Sequence, residues 1–327
     1  MPKVLIAPTA FYRVPGPYVT LLQEAGFEVT YPPSAGPRTE AETLACLRGV
    51  SAIIAGSELF NEKVLSQLPD LRVIARAGVG YDRVEIPAAT QRNIAVTITP
   101  NANHESVAEH AMGLLLALSR NIVGHHQDVL VGDWSRRPMV PLRGQTLGLV
   151  GLGRIGRSVA VRAQAFRLRV IAHDQFINPE LAQRLGVELV DLPTLFAQSD
   201  YISLHAPMNE TTAGLINRKT LAQMKPGSFL INTARGGLVV EADLCAALES
   251  GQLAGAALDV FEEEPTPITN PLLKQRNLIV TPHLASGDYQ SMEDMGTESA
   301  RNIITLSQGQ WPQGAVVNDQ IRATFRW

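Results

Sequence analysis

The feature that most constrains the fold is a glycine-rich turn inside the segment LVGLGRIGRSVAVRAQAFRLRVIAHD, at 149–174. Residues 146–150 form a short apolar run typical of a buried parallel strand, and three glycines follow it at the spacing GxGxxG. Gly151 allows a tight turn, Gly153 lets the backbone approach a pyrophosphate, and Gly156 lets a helix pack closely on the strand. The pattern therefore predicts a phosphate-binding turn at a helix N-terminus.

The residues after the turn complete a dinucleotide-binding pattern. Residues 154–166 are predicted to form a helix, residues 169–172 a second strand, and Asp174 ends that strand. Asp174 follows the last glycine by roughly 20 residues, where an acidic residue accepts hydrogen bonds from the adenosine ribose. The alternative is a glycine-rich turn in another kind of α/β domain. The turn and the first helical residues are the predicted phosphate site: Gly151, Gly153, Arg154, Ile155 and Gly156.

The composition is typical of a two-domain α/β protein without a nucleic-acid or membrane partner. The chain has 327 residues, 45% of them hydrophobic, and a net charge of −3 without a basic run. Cys46 and Cys245 are the only cysteines, which excludes a disulfide framework or a cysteine-rich metal site and indicates a reducing compartment. The N-terminus leads directly into a strand pattern, so we expect a cytoplasmic protein.

The first hundred residues alternate short β-rich runs with helical patterns, which predicts a doubly wound parallel sheet. The predicted strands are at 4–7, 28–31, 52–55, 73–75 and 95–98, and the predicted helices at 17–25, 39–47, 61–68 and 84–91. Ligands collect at the carboxyl ends of such strands, so the loops at 56–57 and 76–80 are candidate ligand loops. Their glycines could equally serve only to make turns.

Residues 101–120 predict a long helix that is apolar on most of its faces, which indicates a buried position between domains or between subunits. His104 and His110 on this helix lack convergent partners, so a structural role is favoured and no metal site is predicted. Residues 134–142 are predicted to be an irregular connection.

The alternation continues after the glycine turn and predicts a second sheet. Its strands are predicted at 187–190, 201–204, 229–232, 256–259 and 278–281. The residues at the strand ends, most of them polar, are of the kind that a dinucleotide site needs: His205, Pro207, Thr233, Ala234, Arg235, Asp259 and His283. Residues 286–306 predict a final helix, and the last twenty residues are expected to pack back on the first domain and make it discontinuous.

Seven motifs in one order carry a resemblance to a known family. They are ARAGVGYDRV (75–84), SVAEHAMG (106–113), LGLVGLGRIG (147–156), LHAP (204–207), MKPGSFLINTARGGLV (224–239), GAALDVFEEEP (255–265) and TPHLAS (281–286). Over nearly its whole length the chain resembles the D-isomer-specific 2-hydroxyacid dehydrogenases, most of all the phosphoglycerate-dehydrogenase-like members.

The resemblance implies two doubly wound parallel-sheet α/β domains with the active site in the cleft between them. Residues 1–100 plus 285–327 would form a flavodoxin-like substrate domain, and residues 101–284 a Rossmann domain that binds NAD. Members of the family are usually dimers, so a homodimer through the NAD-binding domain is expected.

Carried over by position, Arg235, Glu264 and His283 match the family's catalytic three. Imidazole titrates near neutral pH, so His283 would act as general base in oxidation and as general acid in reduction. Glu264 would orient the imidazole and favour its protonated form, and Arg235 would bind the substrate carboxylate or carbonyl oxygen. Taken alone, His283 could be a core histidine and Glu264 a solvated charge.

Other positions in the family pattern imply further contacts. Ala77, Gly78 and Val79 would offer backbone amides to the substrate carboxylate, with Ser57 nearby. The adenine side would be lined by His205, Pro207 and Thr212, while Asp259 would contact the nicotinamide carboxamide. Pro207 and Thr212 could instead only shape a loop.

Two departures from the family pattern bear on specificity. HDQF (173–176) stands where many members have Tyr-Asp-Pro, but it keeps the carboxylate that selects NAD. Gly56 stands beside Ser57 where phosphoglycerate-specific relatives tend to place an arginine, which puts phosphate recognition in doubt; Arg13 or Arg76 could substitute.

The sequence thus predicts an NAD-dependent dehydrogenase that interconverts a small D-2-hydroxy acid and its 2-keto acid, with D-3-phosphoglycerate as one candidate substrate. The alternative activity is that of a hydroxypyruvate or glyoxylate reductase. A non-catalytic NAD-sensing protein is the alternative of another class, because a corepressor family shares this fold and these motifs.

Overall fold

The computed structural model describes residues 1–36, 38–136 and 138–327. The chain forms two compact units, one made of Met1–Asn103 with Gly287–Trp327 and the other of His104–Ser286. Each unit has its own parallel sheet and its own apolar clusters on the two faces of that sheet. Within the part of the chain that the structure describes, no helix is both long and apolar enough to cross a membrane.

The first unit alternates strands and helices through its N-terminal part. Its elements are β1 (Lys3–Ile6), α1 (Pro17–Glu24), β2 (Glu28–Thr30), α2 (Glu40–Leu47), β3 (Ala52–Ala55), α3 (Glu62–Leu65), β4 (Val73–Arg76), α4 (Ile86–Gln91) and β5 (Ala95–Thr97).

The second unit follows with a longer alternation. Its elements are α5 (His104–Ser119), α6 (Ile122–Leu130), β6 (Thr146–Val150), α7 (Arg154–Ala165), β7 (Arg169–His173), α8 (Pro179–Arg184), β8 (Glu188–Leu189), α9 (Leu192–Gln198), β9 (Tyr201–Leu204), α10 (Arg218–Leu221), β10 (Ser228–Asn232), α11 (Glu241–Glu249), β11 (Leu253–Leu258) and β12 (Leu278–Val280). The chain then returns to the first unit with α12 (Tyr289–Ser307).

The first sheet has the strand order β2-β1-β3-β4-β5, with every strand parallel. This is the flavodoxin-like order, whose topological switch point lies between β1 and β3. Helices α1 and α12 pack on one face, where Tyr18 and Ile303 join the apolar cluster. The C-terminal tail returns to this unit through Asn318, which bonds to the backbone beside β5.

The second sheet has seven parallel strands in the order β12-β11-β10-β9-β6-β7-β8. Strand order reverses between β6 and β9, as in the Rossmann fold. The strands end in register, because Val150 pairs with both His173 and Leu204, and Asn232 pairs with both Leu204 and Leu258. The residues that follow these strands therefore lie side by side along one edge of the sheet.

The predicted fold class, two doubly wound parallel-sheet domains, is confirmed. The long helix predicted at 101–120 is α5. Within its own unit it packs against α7 and against strands β10 and β11, and these contacts bury part of its apolar surface. Its predicted position between domains or between subunits stays a prediction.

Candidate active site

The glycine turn after β6 has the geometry that its spacing predicts. Gly151 has a φ of +99°, and a Cβ at this position would lie 2.8 Å from the backbone of His205 and Ala206. A Cβ on Gly156 would lie 2.3 Å from the Gly151 carbonyl oxygen, so α7 can start beside the turn only without one. At Gly153 an added Cβ would have no described atom within 4 Å beyond its own chain neighbours. That space, at the N-terminus of α7, is where a pyrophosphate would lie.

Asp174 stands directly after β7 and is bonded to the glycine turn. Its Oδ2 accepts the Leu152 N–H at 2.8 Å, while its Oδ1 accepts the N–H groups of Phe176 and Ile177 at 2.8 and 3.1 Å. An ionised carboxylate has about four acceptor positions. Three donors leave one position for a ribose hydroxyl, so the carboxylate can both brace the turn and bind the sugar.

His205 and Thr233 follow β9 and β10, and both carry a buried polar atom. Burial lowers the pKa of His205 to about 4, so its ring is neutral at physiological pH. Its Nε2 lies 2.9 Å from Ser203 Oγ, while its Nδ1 and Thr233 Oγ1 have no hydrogen-bond partner among the described residues. Buried polar atoms are usually bonded, so both atoms have capacity for a ligand.

The loop after His205 is closed by Thr212. The Thr212 hydroxyl donates to the Pro207 carbonyl at 2.7 Å and accepts the Asn209 N–H at 2.8 Å. These contacts favour the loop-shaping alternative for Thr212 and Pro207, and their predicted contact with adenine stays a prediction.

His283 and Glu264 meet in the structure. His283 Nδ1 lies 2.7 Å from Glu264 Oε2, and the His283 side chain remains 50% exposed. The carboxylate binds Nδ1, which leaves Nε2 as the nitrogen for proton exchange with a substrate. Glu264 is therefore not the solvated charge that its neighbours in the EEEP motif would suggest.

The charge state of Glu264 is set by competing effects. Burial alone would raise its pKa, but the hydrogen bond and charge of His283, the Phe261 N–H at 3.0 Å and the charge of Arg235 outweigh it. The net result is a pKa below the ordinary value of a glutamate. The carboxylate is ionised at neutral pH and can stabilise an imidazolium.

Arg235 begins the turn after β10, and the turn is tied to the loop that carries Glu264. Asn232 holds the turn locally, because its side chain accepts the Ala234 N–H and donates to the Arg235 carbonyl. A Cβ on Gly236 would lie 1.9 Å from the Phe261 carbonyl group, so the two backbones touch only because this residue is glycine. The sequence motifs did not single out Asn232, although an asparagine two residues before a turn amide is a recognised turn signal.

Asp259 is fully buried behind His283. Its carboxylate accepts the Thr281 hydroxyl at 2.5 Å and the N–H groups of Leu284 and Ala285 at 3.0 and 2.9 Å. These bonds fix the turn at 281–285. The predicted contact of Asp259 with the nicotinamide carboxamide stays a prediction, because the oxygens described here serve the turn.

The histidines of α5 contact side chains of the second unit. His104 Nε2 lies 3.3 Å from Glu105, and His110 Nε2 lies 3.1 Å from the Thr281 hydroxyl, which favours the structural roles predicted for them. Over residues 1–36, 38–136 and 138–327, no group of three or more His, Cys, Asp or Glu side chains is arranged to hold a metal ion.

In the predicted substrate loop of the first unit, some of the backbone amides already donate hydrogen bonds within that unit. The Ala77 N–H donates to the Ala55 carbonyl at 3.0 Å, and the Gly78 N–H donates to Thr99 Oγ1 at 2.9 Å. Among the three predicted amides, that of Val79 has no acceptor in the described residues. Val79 is therefore the amide best placed to bind a carboxylate, and Ser57 is exposed.

The two arginines that could substitute for the missing one have local contacts, and their role in phosphate recognition stays a prediction. Arg76 Nε donates to the Gly80 carbonyl at 3.0 Å, and Arg13 lies over the Tyr12 ring. A third arginine, Arg38, forms a buried ion pair with Glu58 directly beside Gly56. No sequence pattern points to this pair, since the partners lie twenty positions apart in irregular segments.

A Rossmann sheet with an open glycine turn, a ribose-side carboxylate and an Arg, Glu and His group at the same sheet edge is the arrangement expected of a nicotinamide-dependent dehydrogenase. Comparison with known proteins agrees with this class. The family model described as D-isomer specific 2-hydroxyacid dehydrogenase, NAD binding domain, matches residues 112–285. The chain therefore belongs to the D-isomer specific 2-hydroxyacid dehydrogenase family, as its motifs predicted.

Individual relatives carry different names. A D-3-phosphoglycerate dehydrogenase of Archaeoglobus fulgidus is 42% identical over 261 residues, 79% of this chain and 50% of that protein. A glyoxylate reductase of Thermofilum pendens is 37% identical over 317 residues, 94% of this chain and 93% of that protein. The crystal structure of D-lactate dehydrogenase from Aquifex aeolicus complexed with NAD and lactic acid has a TM-score of 0.83 at 29% identity, covering 96% of this chain and 99% of that one. The chain spans about half the length of the D-3-phosphoglycerate dehydrogenases it matches.

Proposed function

We propose that this protein interconverts a small D-2-hydroxy acid and its 2-keto acid with NAD as cofactor. The observation that carries the proposal is the contact of His283 with Glu264 on the sheet edge that also bears Arg235 and the glycine turn. General acid–base chemistry on a hydroxyl-bearing carbon needs such a pair, with one group to move the proton and one to hold it in position.

Each of the three side chains has a defined task. In reduction, protonated His283 donates a proton from Nε2 to the substrate oxygen, and in oxidation neutral His283 accepts it there. Glu264 holds the ring through Nδ1 and stabilises its positive charge. Arg235 binds the substrate carboxylate or carbonyl oxygen through its planar guanidinium. When bound, the nicotinamide supplies the hydride in reduction and accepts it in oxidation.

The residues of the second unit fit a dinucleotide. The space beside Gly153 and the N-terminal amides of Arg154 and Ile155 suit the pyrophosphate, and the spare acceptor position of Asp174 suits the ribose. A carboxylate at this place repels a 2′-phosphate, so NAD should be preferred over NADP. His205, Thr233 and Ala234 would complete the cofactor site.

In the first unit, we assign Val79 to the substrate carboxylate, with Ala77, Gly78 and Ser57 around it. A phosphate on the substrate is not required in this proposal. Gly56 offers no side chain, and a Cβ there would lie 3.2 Å from the Pro8 backbone. A glyoxylate- or hydroxypyruvate-reducing activity is therefore the favoured member of the class, with D-3-phosphoglycerate as the second candidate.

The test is a panel of 2-keto acids assayed with NADH and with NADPH, using the wild type, Arg235→Ala and His283→Ala. Turnover with glyoxylate or hydroxypyruvate should be faster with NADH and should fall by about two to four orders of magnitude in His283→Ala. Lys274→Ala serves as the control, because this side chain is exposed in the second unit and belongs neither to the proposed site nor to the proposed interface. NADH binding without any turnover would support the NAD-sensing alternative instead.

We further propose a cytoplasmic homodimer that assembles through the second unit. The support is a set of exposed apolar side chains within residues 122–134, a segment that includes α6: no residue of this helix is buried, and Val131 and Trp134 are 84% and 74% exposed. Clusters of exposed apolar side chains mark interaction sites.

A further inference from the structure

The buried ion pair Arg38–Glu58 lies at the carboxyl edge of the first sheet. Arg38 Nη2 lies 2.5 Å from Glu58 Oε1, and the two side chains are only 8% and 3% exposed. Buried ion pairs give little or no net stability compared with apolar residues of similar size. Stability alone therefore does not explain why a charged pair stands at this position.

The pair joins the ends of the two strands that flank the switch point. Arg38 Nη2 donates to the Ala7 carbonyl after β1 at 2.7 Å, and the Gly56 N–H after β3 donates to Glu58 Oε2 at 2.6 Å. In open parallel sheets, ligands bind outside the carboxyl ends of the strands at such a switch point. In this unit, side chains of the protein itself occupy that place.

The Glu58 carboxylate is bound as a ligand anion would be. One oxygen receives a guanidinium and the other a backbone N–H, which are the two donor types that recur in carboxylate and phosphate sites. Ser57 stands between Gly56 and Glu58 in the proposed substrate loop.

We propose that Glu58 is a built-in anion that occupies Arg38 and so restricts the substrate to 2-keto acids without a phosphate. This inference rests on the proposed function, in which the loop at Ser57 receives the substrate. With Glu58 in place, the pair offers no net positive charge, and a phosphate would meet a carboxylate in a poorly solvated site. Without Glu58, Arg38 and the Gly56 N–H lack their anion and would accept one from the substrate.

The experiment compares kcat/KM for hydroxypyruvate and 3-phosphohydroxypyruvate in the wild type, Glu58→Ala and Glu58→Gln. The wild type should prefer hydroxypyruvate, and the ratio of phosphorylated to unphosphorylated kcat/KM should rise by about tenfold or more in both variants. Glu62→Ala is the matched control, because it breaks the solvent-exposed Arg92–Glu62 pair of the same unit. Its ratio should equal that of the wild type.

A second measurement needs no turnover. Inorganic phosphate should raise the Tm of Glu58→Ala, because an anion that binds only the folded state stabilises it. The double variant Arg38→Met with Glu58→Leu removes both charges. Phosphate should shift the Tm of this double variant no more than it shifts the Tm of the wild type.

The outcomes separate the two proposals. An unchanged substrate ratio in Glu58 variants that still reduce hydroxypyruvate would overturn the role of Glu58, as would equal phosphate stabilisation of Glu58→Ala and the double variant. If the wild type reduces no keto acid, the proposed function fails. The phosphate shift of Glu58→Ala against the double variant then still decides whether Glu58 fills an anion site.

Discussion

His283 has a backbone conformation that few residues other than glycine adopt. Its φ is +51°, and its N–H is held by the carbonyl oxygens of Asp259 and Thr281 at 2.8 and 3.1 Å. Such conformations persist where the surroundings fix them, and they concentrate at functional sites. The direction of the imidazole therefore depends on the turn at 281–285, and that turn depends on the buried carboxylate of Asp259.

Asp259→Asn tests this dependence. The amide group of asparagine would place N–H donors against the N–H of Ala285 or Leu284, which leaves a buried donor unsatisfied and costs about 1–3 kcal/mol in the free energy of unfolding. We expect that loss in urea unfolding together with a lower kcat. Glu210→Gln, an exposed acid of the same unit, should change neither quantity. Wild-type kcat in Asp259→Asn would show that the turn does not govern His283.

The contact between Glu264 and His283 predicts a directional effect of pH on activity. Glu264→Gln removes the charge that favours protonated His283. Reduction needs the protonated ring, so the high-pH limb of its kcat/KM should move to lower pH in the variant, and activity near neutrality should fall. Oxidation needs the neutral ring, so its low-pH limb should also move to lower pH.

The measurement is the pH dependence of kcat/KM in both directions for the wild type and Glu264→Gln. Glu263→Gln is the control, since it removes a charge from the adjacent, exposed position. Limbs that stay in place in Glu264→Gln would mean that the carboxylate only positions the ring.

The same pair has a consequence for stability. Because the pKa of Glu264 is lowered on folding, the carboxylate stabilises the native state above the ordinary value of 4.5, and this contribution is lost as the pH falls through the folded value. The difference in unfolding free energy between the wild type and Glu264→Gln should therefore shrink on acidification below about pH 4.5.

At the scale of single elements, two glycines of the turn have different roles, one in the packing of α7 and one in cofactor binding. A methyl group on Gly156 would lie 2.3 Å from the Gly151 carbonyl oxygen, whereas a methyl group on Gly153 would project into open space. Gly156→Ala should therefore lower the Tm, because α7 must shift away from β6. Gly153→Ala should keep the wild-type Tm but weaken NADH binding by about tenfold or more, because its methyl group takes the place of the pyrophosphate.

Thermal unfolding and fluorescence titration with NADH measure the two effects. If Gly153→Ala bound NADH with wild-type affinity, the pyrophosphate would not lie against this glycine.

The sequence predicted strands more accurately than helix ends. Buried parallel strands are continuous apolar runs, and the predicted 146–150, 201–204 and 52–55 coincide with β6, β9 and β3. The helix predicted at 61–68 is only Glu62–Leu65. Leu68 precedes a proline, which disfavours helical conformation in the residue before it, so the chain turns instead of completing another helical turn.

In the candidate site, too, some features could be predicted from local sequence patterns and others could not. Motif positions predicted the residues after the strands, because parallel strands that end in register bring those residues together. The bond of Asp174 to Leu152 and the pair Arg38–Glu58 join segments distant in sequence, and neither has a local pattern. Contacts of this kind are set by packing, which a periodicity cannot show.

At the scale of the whole chain, the C-terminal tail shows the same limit. Its return to the first unit could be predicted because it is too short to fold alone. The contacts that hold the tail there could not be predicted. Buried Asn318 accepts the Val96 N–H at 3.0 Å and donates to the Ile94 carbonyl at 2.9 Å, across more than 200 positions of sequence. Together with the backbone bonds of Val317 to Val96 and of Ile98 to Ala315, this amide holds the C-terminal tail against β5.

The proposed homodimer is a prediction for the assembled molecule. If residues 122–134 form the interface, charges placed there should dissociate the dimer, because an unpaired charge buried at an interface core is costly. We expect light scattering to give twice the mass of one chain for the wild type and the mass of one chain for the double variant Leu130→Asp with Trp134→Asp. Ile268→Asp is the control, since Ile268 is a single exposed apolar residue, 87% exposed, in the same unit. This control variant should leave the mass unchanged.

NADH binding by the double variant would show that its second unit is folded. A dimer that persisted in the double variant would place the interface elsewhere.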